Sequence, residues 1–180
     1  NIITLNGNLA STVTITNASY GIITTGEGAD TIHVTLNNLI VPATRDQVRV
    51  TANGGNDTIT IDGTHSNFYA NVRGGDGNDV INVVTMGDHY IYGDAGDVTI
   101  TGSWGVENIE GGTGNDIIDG NRGNDIIYGG DGNDEIYGGI GNDYLYGDAG
   151  IDTIYGDAND DVIRGGLGND TLYGGDGNDR

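Results

Sequence analysis

The 180-residue sequence contains no cysteine, no lysine and a single proline. Without cysteine, neither a disulfide nor a thiolate metal site can stabilise the fold. Without lysine, a P-loop, a Schiff-base lysine and a lysine-dependent phosphate site are excluded. No apolar run approaches the roughly 20 residues that cross a membrane, and no signal-peptide pattern opens the chain. The chemistry of this protein therefore has to come from other residue types.

Basic residues are scarce as well. The chain carries 27 acidic residues against 6 arginines, and its net charge is −21. Such a charge argues against nucleic acid or an anionic membrane as a partner, because both require basic patches. No GxSxG or HExxH motif is present, so we predict that this segment is not an enzyme and has no catalytic residue. The chain begins at Asn1 and stops at Arg180 within a repeat, and we expect it to be a fragment of a larger protein.

Glycine is abundant, with 35 residues, and it is periodic. From Val84 to the end the sequence holds one nine-residue frame, as in GGDGNDEIY at 129–137 and GGIGNDYLY at 138–146. The fourth position is glycine except at Asn159, and the eighth is always Ile or Leu. The sixth position holds His89, Val98 and Glu107 in the early copies and aspartate in all later ones. A fixed period of this kind is the signature of a repeat architecture.

One apolar residue in nine is too sparse for an amphipathic helix, but it suits a short strand followed by a glycine-rich turn. Two nonamers would make one coil of 18 residues, with Ile118 stacked on Ile136 and Ile127 on Leu145. Upstream, alternating stretches such as TVTIT (12–16) and TIHVTL (31–36) predict longer strands. We predict an all-β fold, a parallel β-roll or β-solenoid of 18-residue coils with longer irregular rungs at the N-terminal end. Residues 1–83 form those rungs and 84–180 the repeats; a small β-sandwich cap in the first part is the alternative. Pro42 is expected in a loop outside the strands.

Stacked coils would place the sixth-position aspartates in two columns. Neighbouring strands lie about 4.8 Å apart, so like charges at this spacing repel unless something neutralises them. Six arginines cannot neutralise 27 acids. Carboxylate and turn carbonyl oxygens are hard ligands in flexible turns, which favour Ca²⁺ over Mg²⁺ or Zn²⁺. The alternative is that each aspartate serves only to form its turn.

The nonamer resembles the glycine- and aspartate-rich repeat of the RTX (repeats-in-toxin) family of hemolysin-type calcium-binding proteins. The resemblance is close over 111–179, looser over 84–110 and sporadic upstream. It implies a β-roll in which six residues form the turn and three the strand, and a Ca²⁺ ion between turns n and n+2. It implies about six ions in 111–179, with interior aspartates shared by two ions. The implied aspartate pairs are Asp116/Asp134, Asp125/Asp143, Asp134/Asp152, Asp143/Asp161, Asp152/Asp170 and Asp161/Asp179.

The resemblance also implies ligands from the backbone carbonyl groups of the turns. Val98 cannot ligate through its side chain, and Glu107 and His89 depart from the pattern, so we expect weak sites or none there. Asp57/Asp79 is the best candidate pair in the first half. The implied carbonyl ligands belong to Gly111, Thr113, Gly120, Arg122, Gly129, Gly130, Asp131, Gly132, Gly138, Gly139, Ile140, Gly141, Gly147, Asp148, Ala149, Gly150, Gly156, Asp157, Ala158, Asn159, Gly166, Gly168, Gly175 and Gly177.

We predict a calcium-binding module of a secreted bacterial protein, located outside the cell or on its surface, that folds on Ca²⁺ binding after export. The family resemblance implies type I secretion. One alternative is a segment of an adhesin or surface-layer protein stiffened by Ca²⁺. Another is an accessory C-terminal module of a secreted protease, lipase or alginate epimerase. We expect calcium as the partner, with no nucleic acid and no membrane insertion, and a polysaccharide or a second copy as further candidates. Tyrosines at the ninth position should point outward, either as cross-strand stacks or as a binding ladder.

Overall fold

The computed structural model describes residues 2–4, 10–16, 20–36, 46–63 and 68–180. Every regular element in this part of the chain is a β-strand, and none of these residues forms a helix long and apolar enough to span a membrane. The predicted loop at Pro42 lies outside the described residues. The strands are β1 (Ile2–Thr4), β2 (Thr12–Thr16), β3 (Tyr20–Thr24), β4 (Thr31–Leu36), β5 (Asp46–Thr51), β6 (Thr58–Gly63), β7 (Phe68–Asp76), β8 (Val80–Val84), β9 (Asp88–Ala95), β10 (Thr99–Thr101), β11 (Glu107–Thr113), β12 (Ile117–Asp119), β13 (Ile126–Asp131), β14 (Glu135–Ile140), β15 (Tyr144–Ala149), β16 (Thr153–Ala158), β17 (Val162–Leu167) and β18 (Thr171–Tyr173).

Each coil of the chain adds one strand to each of two parallel sheets. The odd-numbered strands form one nine-stranded sheet in chain order, and the even-numbered strands form the other. In the repeats, Ile118 pairs with Ile136 and Ile127 with Leu145, so the register advances by 18 residues per coil. This arrangement confirms the predicted all-β parallel solenoid. The pairings β6–β8 and β7–β9 carry both sheets from the first rungs into the repeats.

The core lies between the two sheets and narrows along the chain. In the N-terminal rungs a strand turns two apolar residues inward, such as Ile32 and Val34 of β4 or Ile59 and Ile61 of β6, all fully buried. In the repeats the core is formed mainly by the eighth-position residues, for example Ile118, with the sixth-position Val98 beside them, whereas the eighth-position Leu172 of the last coil is 46 % exposed. The longer rungs predicted from the upstream alternations are therefore confirmed.

Most strands of the repeats are longer than the three residues implied by the family resemblance; β10, β12 and β18 have three. β13, β14, β15, β16 and β17 each have six residues, which run from the seventh position of one nonamer to the third of the next. The backbone continues to pair after the first glycine, since Gly130 pairs with Asp148 and Asp131 with Ala149. Between these six-residue strands, only positions four to six lie outside the sheet ladder. In most repeats the residues at positions two and four adopt positive φ, including Asn159 at φ 89°, as expected for a residue that tolerates the left-handed region.

Candidate metal-binding turns

The sixth-position aspartates lie in two buried columns, one at the entry to each sheet. Asp116, Asp134, Asp152 and Asp170 immediately precede even-numbered strands, whereas Asp125, Asp143, Asp161 and Asp179 belong to turns on the other side. From Asp116 to Asp161 each residue is at most 2 % exposed. Asp170 and Asp179, in the last coil, are half-buried. Carboxyl groups are seldom buried to this extent without a partner.

One oxygen of each carboxylate has a backbone partner in the preceding coil. The amide of Asp116 donates to Asp134 Oδ1 at 2.9 Å, and the amide of Asp125 donates to Asp143 Oδ1 at 2.8 Å. The same bond, with the donor 18 residues earlier, recurs along both columns at 2.8–3.1 Å. Each aspartate therefore links its own coil to the previous one, which is the turn-forming role considered from the sequence.

The second oxygen has no such partner. Oδ2 of Asp116, Asp125, Asp134, Asp143, Asp152 and Asp161 is buried and accepts no hydrogen bond. Turn formation does not account for this oxygen, because a buried acceptor without a partner costs about 1–3 kcal/mol, and more when it is charged. A ligand that supplies positive charge would remove that cost.

The unpartnered oxygen faces a cradle above the first glycine of its own turn. A Cβ added to Gly120 would lie 2.8 Å from Asp125 Oδ2 and 2.7 Å from the carbonyl oxygen of Gly138 in the next coil. At Gly138 the equivalent distances are 2.6 Å to Asp143 Oδ2 and 2.9 Å to the oxygen of Gly156. Gly111, Gly129, Gly147 and Gly156 have the same two oxygens beside them. A carboxylate oxygen and a backbone carbonyl thus converge where a side chain would otherwise be, which suits a hard cation.

The other predicted carbonyl groups lie in the same turns, at positions two to four. Carbonyl oxygens at the third position, such as those of Thr113, Asp131 and Ile140, already accept a hydrogen bond from the fourth-position amide of the preceding coil. A carbonyl oxygen has a second lone pair, so this bond leaves it able to ligate. Within the described residues no group of three His, Cys, Asp or Glu side chains converges on one point. A cation in these turns would therefore require backbone oxygens in addition to carboxylates.

Burial disfavours the ionised form of these carboxyls. Desolvation raises the pKa of Asp116, Asp134, Asp143 and Asp161 from 3.8 to about 6, although the amide hydrogen bond of each one opposes the rise. The pKa of Asp125 rises to about 9, because it is deeply buried and also repelled by Glu107 and Asp143. A bound cation would reverse this balance by stabilising the carboxylates.

Three early turns replace the aspartate and also lose the unpartnered oxygen. Val98 is buried, and its Cγ2 would lie 3.1 Å from a Cβ on Gly93, so an apolar group lines that cradle. Glu107 accepts from the Ser103 hydroxyl at 2.6 Å and the Ser103 amide at 3.1 Å. His89 Nδ1 accepts from the Ala70 amide at 3.0 Å, and its Nε2 lies 2.5 Å from Thr85 Oγ1. Protein groups thus satisfy these positions, where weak sites or none were expected.

The structure adds one aspartate to those selected from the sequence. Asp30 is 2 % exposed and stands in the same column as Asp57 and Asp79. Its turn, GEGAD at 26–30, has the glycine at the fourth position, which is the signal that could have identified it. The 27-residue interval between Asp30 and Asp57 hid the relation, because it departs from the 18-residue period.

The ninth-position tyrosines form the predicted cross-strand stacks. The ring centroids of Tyr128 and Tyr146 are 4.8 Å apart with planes inclined by 10°, and Tyr137, Tyr155 and Tyr173 stack at 4.9 Å. Because each stacked ring covers the face of its neighbour, these faces are not open to a flat ligand such as a sugar ring. The stacks therefore favour a role in stabilising neighbouring strands of each sheet over a role as a binding ladder.

Comparison with known proteins gives a match over the same part of the chain. A family model described as the RTX calcium-binding nonapeptide repeat matches residues 71–83, 86–118, 110–145, 119–154 and 146–180, more than half of the chain. No curated protein matches the sequence. Asp79 and all eight repeat aspartates lie within the matched segments, whereas Asp30 and Asp57 lie outside them.

Proposed function

Because the chain belongs to the family of RTX calcium-binding nonapeptide repeats, we propose that its two aspartate columns hold Ca²⁺ ions and that binding drives the folding of the coils. The observation that carries this proposal is the repeated cradle, in which a buried carboxylate oxygen without a partner faces a backbone carbonyl of the next coil. About six ions would occupy the turns of residues 111–179. Each would be held by two sixth-position aspartates in adjacent coils and by carbonyl oxygens of the glycine-rich turns.

The bound ion would supply positive charge to the unpartnered carboxylate oxygens, beside which the turns place neither a cation nor a hydrogen-bond donor. The aspartates orient one oxygen toward each cradle, because the other oxygen is held by the amide of the preceding coil. The first-position glycines leave the cradle open, since a side chain there would meet both oxygens. Calcium suits this set better than magnesium, which requires a stricter octahedron and retains its waters.

The net charge of −21 suggests how the module would be exported, because it opposes folding until calcium is bound. Where calcium is scarce, repulsion among the acids opposes the folded coil, and an expanded chain suits passage through a narrow channel. Outside the cell, the free energy of binding becomes free energy of folding. Six ions would bring about 12 positive charges, so the loaded module would remain acidic.

Calcium counting on the full chain tests the ligand assignment. Asp134→Asn retains an acceptor for the Asp116 amide but removes the charge of a carboxylate shared by two proposed sites. Equilibrium dialysis at saturating Ca²⁺ is expected to show a loss of one to two ions. Asp160→Asn is the matched control, because it removes the same charge from an exposed side chain that is not a proposed ligand, keeps an acceptor for the Asn178 amide and should retain the full count. Equal ion counts for Asp134→Asn and the unmodified chain would contradict the assignment.

The wider role is proposed from the sequence. We propose secretion by a bacterium, with residues 1–83 and 84–180 forming the wide and narrow parts of one solenoid. A module attached to a secreted enzyme and a stiffened segment of an adhesin remain the two alternatives for the parent protein. A polysaccharide or a second copy as a partner stays a prediction as well.

A further inference from the structure

We propose that Asp30, Asp57 and Asp79 form a second, separate calcium-binding column in the wide N-terminal rungs. This inference rests on the proposed function of the repeats, but two of its three aspartates lie outside the residues that match the repeat family. The column is isolated from the repeats by a coil whose turns are satisfied by protein groups alone.

The three aspartates reproduce the bonding pattern of the repeats at different spacings. The amide of Ser11 donates to Asp30 Oδ1 at 2.5 Å, the amide of Asp30 to Asp57 Oδ1 at 2.6 Å, and the amide of Asp57 to Asp79 Oδ1 at 2.8 Å. The three residues are 1–2 % exposed. Although the rungs are 27 and 22 residues long here, the coils bring the carboxylates into one ladder.

The second oxygen of all three residues is buried without a partner. Among the residues that the structure describes, Oδ2 of Asp30, Asp57 and Asp79 accepts no hydrogen bond, and no ion pair involves any of the three carboxylates. Neighbouring carboxylates add to the effect of burial, which raises the pKa of Asp57 to about 7. A purely structural ladder needs only Oδ1 and gains nothing from a second charged oxygen that is buried without a partner. A buried, unpartnered second oxygen repeated on three consecutive rungs indicates a ligand that carries positive charge.

The cradles of this column differ from those of the repeats. Asp79 faces Gly74 and the carbonyl of Gly93, as in the repeats. The equivalent residues before Asp57 and Asp30 are Ala52 and Thr25, both buried, and the Thr25 hydroxyl donates to the Ala52 carbonyl at 2.8 Å. The donor set around this column is again oxygen, from the three carboxylates and the turn carbonyl groups, so Ca²⁺ remains the fitting cation.

The coil between the two columns offers no carboxylate without a partner. Val98 stands where the column would continue from Asp79 to Asp116, and on the other side Glu107 is bound by Ser103. Asp79 and Asp116 are therefore two coils, or about 10 Å, apart. Ions bound on either side would share no ligand. The N-terminal column should fill as a unit of its own.

The substitution Asp57→Asn in the full chain tests this column, because Asp57 is shared by both of its proposed sites. The asparagine still offers an acceptor to the Asp30 amide. In equilibrium dialysis with Ca²⁺ alone, we expect a loss of one to two ions while the calcium-dependent circular dichroism of the repeats is retained. Asp76→Asn, at an exposed position three residues before Asp79, is the matched control and should lose none.

A substitution that adds an aspartate gives a second test, which does not depend on whether Asp57→Asn disturbs the folding of the first rungs. The turn GDAGDV at 93–98 differs from GDAGID at 147–152 only in its last two residues, so Val98→Asp is expected to rebuild the missing position and raise the ion count by one to two. The inference is overturned if Asp57→Asn keeps the full count, or if Val98→Asp adds no ion. If Asp134→Asn also keeps the full count, the proposed function of the repeats fails with it; a loss for Asp134→Asn alone rejects only the second column.

Discussion

At the scale of single residues, each repeat aspartate serves two purposes with its two oxygens. Oδ1 accepts the amide of the preceding coil, and Oδ2 faces the cradle above the first glycine. An asparagine could still accept the amide of the preceding coil, but it could not present a charged oxygen to the cradle. An aspartate-to-asparagine substitution therefore separates the two functions. The sequence predicts the columns, because the aspartates recur every nine residues. It does not predict which oxygen is free, since that depends on the register between coils.

The raised pKa values of these carboxyls predict a pH-dependent calcium affinity. In the metal-free coil, Asp116, Asp134, Asp143 and Asp161 hold their protons up to about pH 6, whereas an unfolded chain releases them near 3.8. The folded form thus binds more protons between these values, and the stability of the metal-free coil falls as pH rises through this window. Calcium requires the ionised form, so its binding weakens as pH falls below about 6.

Calcium titrations at pH 7.5 and pH 5 measure this effect. For a coil that is folded before it binds, the midpoint is expected to rise at least about tenfold at pH 5, because a carboxyl with a pKa of about 6 is then about nine-tenths protonated. For a chain that folds only on binding, little change is expected, because its carboxyls ionise near 3.8 before calcium arrives. Magnesium at equal ionic strength controls for screening. A midpoint that falls at pH 5 would contradict carboxylate ligation, because protonation of the ligands can only oppose calcium binding.

At the scale of elements, a strand of the repeat is stabilised by one inward residue and by its neighbours in the sheet. Two adjacent isoleucines of β12 make the difference visible: Ile118 is 0 % exposed in the core, and Ile117 is 47 % exposed on the outer face. The nine-residue period predicts the inward position correctly. It does not predict that strands extend to the third position of the next repeat, because the pairing of Gly130 with Asp148 involves neighbouring coils and not the local sequence.

The two isoleucines provide a matched pair of substitutions. Ile118→Ala is expected to lower the free energy of unfolding of the calcium-loaded module by about 2–5 kcal/mol, since it opens a cavity between the sheets. Ile117→Ala is expected to change it by no more than about 0.5 kcal/mol, because its side chain is largely in water. Urea unfolding at saturating calcium compares them. Similar losses for both variants would contradict the described direction of β12.

At the scale of the whole molecule, two sheets narrow from wide rungs with paired core residues to coils with a single inward residue. The wide rungs turn two apolar residues per strand into the core, so we expect their folding to depend less on metal than that of the repeats, where one residue per strand is buried and the acids are dense. Repetition made this architecture predictable from the sequence. The sequence carries a signal for the turn of Asp30, the glycine of GEGAD, but the pairing of Asp30 with Asp57 depends on the formed sheets, because a 27-residue interval departs from the 18-residue period.

Far-UV circular dichroism of the full chain during calcium titration, with magnesium as the control, tests the central claim most directly. If Ca²⁺ supplies the missing charge in the aspartate columns, the β signal rises cooperatively with calcium and not with the same concentration of magnesium. A chain that shows its full β signal in excess chelator, with no change on adding calcium, would contradict the claim that binding drives folding.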